Sequence, residues 1–267
     1  MKHRLHLVPA GILFMAMPAM LFGAANTPAV NLDDLLSRTS SHVTTLVDQF
    51  SNVQCIEQVE QEKLRADGKV ERKEESTFNY LILLSDNGGD LSLQESRIAV
   101  HEAKADKRNT PMLLSNGFAT LFLVFHPAYS GSFHFTDAGQ ETLNGRTLEK
   151  IAFEHVVGMR SPAALALRGR EYPLELSGTA WIDPETGAIA KIEAGIGETL
   201  TDVGLKSLKS EIEFVPQRFG VKSYWLPSLA SVDVETPRQH WRNTHRFSDY
   251  KAFSVSSEEH DKKVAEK

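Results

Sequence analysis

The feature that most constrains this chain is the change of hydrophobic period after residue 50. From Val53 onward apolar residues recur at every second position, and Gly, Pro and Asn-Gly punctuate the runs. Val53, Cys55 and Val59 alternate with Gln54, Gln58 and Glu60, and Ala66-Asp67-Gly68-Lys69 supplies turn chemistry. Phe78, Tyr80, Ile82 and Leu84 again share one face, and Asn87-Gly88-Gly89 makes the next turn. A period of two with this punctuation predicts antiparallel strands joined by tight turns. Further strands are expected around 91–103, 132–136, 147–155, 178–183, 188–194, 206–215, 221–226, 231–235 and 241–250. No βαβ alternation appears, so the expected class is α+β, mainly antiparallel β.

Two segments depart from that period. Between Asn31 and Phe50, Leu32, Leu35, Leu36, Val43, Leu46, Val47 and Phe50 recur at steps of three and four, which predicts a helix with one apolar stripe. Asn31 is placed to cap it, and Asp33 and Asp34 suit its positive end. The second segment is Met112–Phe125, opened by Thr110-Pro111 and carrying Phe118, Leu121, Phe122, Val124 and Phe125. A helix start is expected at Pro111. A helix apolar on all sides is buried or occupies a greasy hollow.

The first 25 residues read as an export signal. Lys2 and Arg4 precede a run from Leu5 to Phe22 free of acids and of further Lys or Arg, and Gly23-Ala24-Ala25 offers a small-residue cleavage site. A retained anchor fits less well, because Pro9 and Pro18 interrupt the run and a span wants about 20 apolar residues. The expected location is therefore periplasmic or secreted, with no stable transmembrane segment after cleavage. A single domain is expected over 31–253, with a charged, flexible tail at 254–267.

Charge and cysteine count narrow the partners. The formal charge of −6 becomes more negative once Lys2 and Arg4 are removed, which argues against nucleic acid as a partner. Cys55 is the only cysteine, so no internal disulfide can form, and its strand position predicts a small buried hydrophobe.

The stretch "TAWIDPETGAIAKIEA" holds Asp183 and Glu185, which invites an acid/base reading. Alternation on both sides of Pro184-Glu185-Thr186-Gly187 instead predicts a hairpin, with Asp183 bonding the backbone ahead of it. A carboxylate pair for glycoside chemistry needs a sugar-sized gap and two separated pKa values, which a turn tip does not supply.

Signal segment, amphipathic helix, antiparallel meander and the pieces "GTAWIDPETGAIAKIE", "EFVPQRFGVKSYWLPS" and "HRFSDYKAF" resemble the LolA/LppX/RseB-like periplasmic lipoprotein-carrier superfamily. That resemblance implies a curved half-barrel, open at its edges, covered by the N-terminal helix and an inner apolar helix. It also implies an apolar cavity for an acyl chain or similar ligand. The chain departs from the carriers in longer sheet segments and in an inserted loop over 156–178, whose Ala163–Leu167 run is a candidate lid. Core and movable plug remain alternatives for Met112–Phe125.

Other chemistry finds little support. No HExxH, CxxC, GxSxG, GxxxxGK[ST] or GxGxxG is present. Among ten histidines, His240 and His245 fall on opposite strand faces, whereas His134 and His155 lie on different strands and have no acidic pattern beside them. No catalytic residue, cofactor or metal site is therefore expected. The candidate ligand-contacting residues are Phe118, Leu121, Phe122, Phe125, Trp181 and Trp225. Arg238, Arg242 and Arg246 repeat every fourth residue, and Arg242 and Arg246 share a face that offers an anionic docking patch. The expected function is a non-enzymatic carrier or sensor that binds a lipid, acyl chain or lipidated partner. The alternatives are an interaction module for an envelope protein and, third, a periplasmic hydrolase.

Overall fold

The computed structural model describes residues 30–86, 91–100, 118–167, 170–196, 200 and 204–253. The expected leader 1–25, the expected tail 254–267 and the expected helix start at Thr110-Pro111 lie outside them. No described helix is long and apolar enough to cross a membrane.

Helix α1 spans Leu32–Phe50. Asn31 caps it as expected, its side-chain oxygen accepting from Asp33 N at 2.9 Å and Asp34 N at 3.2 Å. The buried face runs through Leu35, Thr39, Val43, Leu46, Val47 and Phe50. Thr39 belongs on that face because its hydroxyl donates to Leu35 O at 2.9 Å and so carries no unmet polar group into the core.

Ten strands follow in one antiparallel sheet: β1 (Val53–Leu64), β2 (Val70–Asp86), β3 (Leu91–Ala99), β4 (Phe133–Leu143), β5 (Arg146–His155), β8 (Leu176–Ile182), β9 (Ile189–Ile196), β10 (Ser207–Phe219), β11 (Lys222–Glu235) and β12 (His240–Ala252). Their spatial order is β3-β2-β1-β12-β11-β10-β9-β8-β5-β4, so β12 returns to pair with β1, and β3 and β4 form the two edges. β6 (Ala164–Leu167) and β7 (Arg170–Pro173) make a separate two-stranded ribbon within the expected inserted loop.

The sheet curls without closing. Nine spacings of about 4.8 Å would separate the edges of a flat ten-stranded sheet by roughly 43 Å. A short helix, α2 (Pro127–Ser130), instead ties them together. Its Tyr129 hydroxyl donates to Leu91 O at the start of β3, at 2.8 Å, while Phe133 four residues later opens β4. Four residues reach at most about 14 Å. The expected curved half-barrel is the observed architecture.

Two expectations change. The segments 221–226 and 231–235 are one strand, β11, running through Pro227. That proline sits where the ladder shifts register opposite Phe214, a place where a missing donor does no harm. The described part of Met112–Phe125 is not an α-helix: Phe118–Phe125 is 3-10 helical. His126-Pro127 follows at once, and a residue before proline is driven out of the helical region. His126 is indeed extended, with ψ 142°.

The hairpin reading of the Trp-Ile-Asp-Pro-Glu-Thr-Gly stretch holds. Asp183 accepts from Glu185 N at 3.1 Å, from Thr186 N at 2.9 Å and from the Thr186 hydroxyl at 3.0 Å. Arg146 also pairs with it. Burial alone would raise the Asp183 carboxyl, but these hydrogen bonds outweigh it and hold the group below the usual carboxylate range. Gly187, at φ +72°, lies against the helix: a Cβ there would stand 2.6 Å from the Arg38 carbonyl carbon. The turn is thus a docking point for α1.

Candidate binding site on the concave face

The concave face is split into an apolar and a charged half. In the apolar half, the 3-10 helix lies between α1 and the middle of the sheet, touching β9, β10 and β11. Phe122 is fully buried, its ring centroid 6.1 Å from Phe50 of α1 and 6.1 Å from Phe214 of β10. Phe125 stands 5.1 Å from Phe135 and 6.1 Å from Phe153, so it packs against the β4 edge. Leu121, Leu123 and Val124 are buried as well. Each such side chain stabilises the closed arrangement by about 1.5–3 kcal/mol. The chain's own residues take the space that an acyl chain would need.

The sequence-derived residues divide accordingly. Leu121, Phe122 and Phe125 meet in this cluster. The side chain of Phe118 lies outside the described set. Trp225 is half-buried at the edge of the core, with the Arg146 guanidinium 4.8 Å from its ring centroid. Trp181 is on the opposite, convex face: it pairs with Lys150 and Lys191, whereas its neighbour Ala180 pairs with the buried Ile151 and Ile192. Lys150 and Lys191 lie over its ring and Glu141 accepts its indole N–H at 3.1 Å, so the tryptophan is sealed by charge. Trp181 therefore stands apart from the concave cluster.

Arg242 and Arg246 lie on one face of β12, the convex one, and acids surround them. Arg242 lies 3.4 Å from Asp233 and 3.9 Å from Glu62. Arg246 lines an open groove with Glu60 and Glu75. A second, larger groove of about 580 Å³ crosses β8 to β12 on this face, with Ser177, Thr179, Gly195 and Ser231 as its floor and Arg242 at its rim.

The charged half of the concave face holds a cluster that the sequence reading passed over. Glu57 is fully buried. Its carboxylate accepts from Arg97 Nε at 2.6 Å and Nη2 at 2.8 Å, and it lies 2.8 Å from His245 Nδ1. Arg97 Nη1 donates to Glu95 at 2.8 Å, and the Tyr80 hydroxyl donates to the other Glu95 oxygen at 2.9 Å. Burial would raise the Glu57 carboxyl, yet hydrogen bonds from His245 and Arg97 hold it below its ordinary value. Burial, followed by the Glu95 charge, pushes the Tyr80 phenol well up. The cluster clamps edge strand β3 across β2 to β1 and β12. A signal was available: Glu57 occupies the apolar phase of Val53-Cys55-Glu57-Val59.

The described strand histidines do not converge. His155 is buried and His134 exposed on the adjacent register position. His240 pairs with Asp233 at 2.6 Å on the face opposite His245. Among the described residues no three His, Cys, Asp or Glu side chains gather as metal ligands. Burial pushes the Cys55 thiol up to about 12, which fits a packing role.

No family model matches the chain, and no curated protein matches it. Solved structures are similar in fold. A DUF1329 family protein from Desulfovibrio piger shares 10% identity over 82% of this chain and 90% of its own, with a TM-score of 0.42. A putative outer membrane lipoprotein-sorting protein domain from Vibrio parahaemolyticus shares 12% over 85% and 96%, at 0.39. The lipoprotein LppX of Mycobacterium tuberculosis shares 9% over 85% and 99%, at 0.27. At these identities the likeness is one of fold alone.

Proposed function

We propose that the chain works outside the cytoplasm, after loss of its leader, as a non-catalytic module that binds an envelope protein partner through the outside of its half-barrel. The observation that carries this reading is the filled centre: Phe122 and its neighbours occupy the hollow that a carrier would keep for its ligand. Recognition then falls to the outer surface. The edge at β3 is the part best suited, because Leu83, Ile98 and Val100 are exposed large hydrophobics there, Ile98 at 60%. Register places Leu83 and Ile98 on the same face, opposite the buried Tyr80 and Ile82. An edge strand with apolar side chains is a template for a partner's strand.

A carrier of acyl chains is the second reading, favoured by one observation. An eight-residue 3-10 helix is long for its kind, and its hydrogen bonds are poorer than those of an α-helix. Such a plug is easier to displace.

One pair of experiments separates the two. A photo-crosslinker introduced at position 98 in cells should trap a defined envelope protein, and Ile98→Lys should abolish the contact without changing the protein's thermal stability. Uptake of a fluorescent fatty acid, together with no crosslink at position 98, overturns the partner reading and leaves the carrier.

A further inference from the structure

Helix α1 and the β8–β9 turn line a shallow, open cleft of about 340 Å³ formed by Ser37, Arg38, Ser41, His42, Thr45 and Thr186. Arg38, Ser41, His42 and Thr45 are spaced three and four apart, so they form one stripe along the flank of α1, with neighbouring Cβ atoms about 5–6 Å apart. Arg38 is unusual among them. Its Nε atom is buried, and no described residue accepts a hydrogen bond from its side chain or forms an ion pair with it. A buried donor without an acceptor costs about 1–3 kcal/mol, more when charged, so such a group in a native fold calls for a reason.

The nearest acid does not supply one. Asp183 is held by the Thr186 and Glu185 amides, the Thr186 hydroxyl and Arg146. Glu185 points from the exposed tip of the turn. The rest of the lining is rich in donors. Ser41 and Thr45 donate to helix carbonyls four residues back, at 3.0 Å and 3.1 Å, bonds that a hydroxyl rotor exchanges readily for a better acceptor. His42 adds a ring nitrogen; burial lowers its pKa, with the Asp183 charge acting in the opposite sense.

We propose that this cleft is a binding site for a phosphate group, held by the Arg38 guanidinium and the Ser41, Thr45 and His42 donors. A guanidinium matches two oxygens of a phosphate at once, and hydroxyls from the same helix flank reach the others. The occupant would also bridge α1 to the turn that Gly187 presses against it, so binding would fasten the helix to the sheet. The proposal is independent of the partner-binding reading above, since the cleft lies away from β3.

Titration of the isotope-labelled protein with inorganic phosphate, and separately with glycerol 3-phosphate, tests it. Amide signals of residues 37–45 and of Thr186 and Gly187 should shift saturably, and the melting temperature should rise with ligand. Tighter binding of inorganic phosphate assigns the site to the free ion; tighter binding of glycerol 3-phosphate assigns it to a phospholipid headgroup. Arg38→Met should weaken binding about ten- to a hundredfold, the loss of one charge-assisted contact. Arg38→Lys should restore part of it. Because Arg38 has no described partner, Arg38→Met should leave the ligand-free melting temperature unchanged or raise it. Thr45→Val, on the exposed side of the helix, should weaken binding several-fold and serves if the first variant folds poorly. No saturable shift with either phosphate, or unchanged affinity in Arg38→Met, overturns the proposal.

Discussion

Replacing Phe122 by alanine tests whether the half-barrel is filled or hollow. The phenyl ring is fully buried and sits between Phe50 and Phe214, with both centroids 6.1 Å away. If these contacts are fixed core, Phe122→Ala loses the transfer free energy of the ring and leaves a cavity that α1 and β10 cannot both close. Substitutions of that kind cost about 3–5 kcal/mol. For a chain of this size each kcal/mol lowers the melting temperature by about 2–4 °C, so a fall of roughly 6–20 °C is expected. Phe122→Leu keeps most of the volume and should cost under about 1.5 kcal/mol. Urea unfolding of wild type and both variants gives the free energies, and a fluorescent fatty acid reports whether the hollow opens. Wild type should take up none, while Phe122→Ala should gain a site for a small apolar probe. A loss below about 1 kcal/mol in Phe122→Ala, with fatty-acid uptake by wild type, would refute the packed centre.

Four further outcomes rest on the same structure. Glu57→Gln removes the charge that Arg97 and His245 share, and breaking a buried pair costs about 3–5 kcal/mol; urea unfolding at neutral pH checks it, and a cost under 1 kcal/mol counts against the clamp. The Glu57 pKa is depressed in the fold, so its stabilisation is complete above the unfolded carboxyl value and is lost as pH falls through the lower folded value; an acid titration of stability should be flatter in Glu57→Gln than in wild type. Gly187→Ala combines a positive φ of 72° with a Cβ 2.6 Å from the Arg38 carbonyl carbon, so it should cost at least about 2 kcal/mol by thermal melting, and a neutral result would mean that the turn does not rest on α1. Cys55, with its thiol pushed up to about 12, should resist thiol reagents at pH 8 until denaturant is added.

What the sequence made legible was what depends on period and local chemistry. The helix at Leu32–Phe50, its Asn31 cap, the strand phases and the Asp183 turn follow from spacing and from side chains that act within four residues. Relations between strands were harder. Trp181 is apolar enough to suggest a cavity, yet strand phase alone put it opposite Ala180, and only the pairing with Lys150 and Lys191 reveals which face is convex. The strand break expected after Leu226 does not occur, because β11 absorbs Pro227 with one extra residue, Ser228, between Pro227 opposite Phe214 and Leu229 opposite Glu213, a feature that only the pairing reveals. Phe118–Phe125 has no stripe, being apolar all round, so nothing in its pattern distinguished α from 3-10 winding; Pro127 accounts for the end of the helix at Phe125, not for its winding. The Glu57 cluster joins residues 40 and 188 positions apart, and no local signal links them.

That cluster also bears on the choice between partner and ligand. An acyl chain running along the concave face would leave the phenylalanine half and meet Glu57, Arg97 and Glu95 within the same curl of sheet. Lying against a buried ion cluster, a methylene run gains no hydrogen bonds, and opening the cluster to make room would strand charges in a low-dielectric interior. The Tyr129–Leu91 bond adds to this, since the chain segment leading out of the plug is also the tie between the two sheet edges. Moving the plug far enough to admit a long chain would therefore loosen the edges as well. Filled core, ion clamp and edge tie all resist the same motion, and that resistance is what supports the proposed recognition on the outside of the half-barrel.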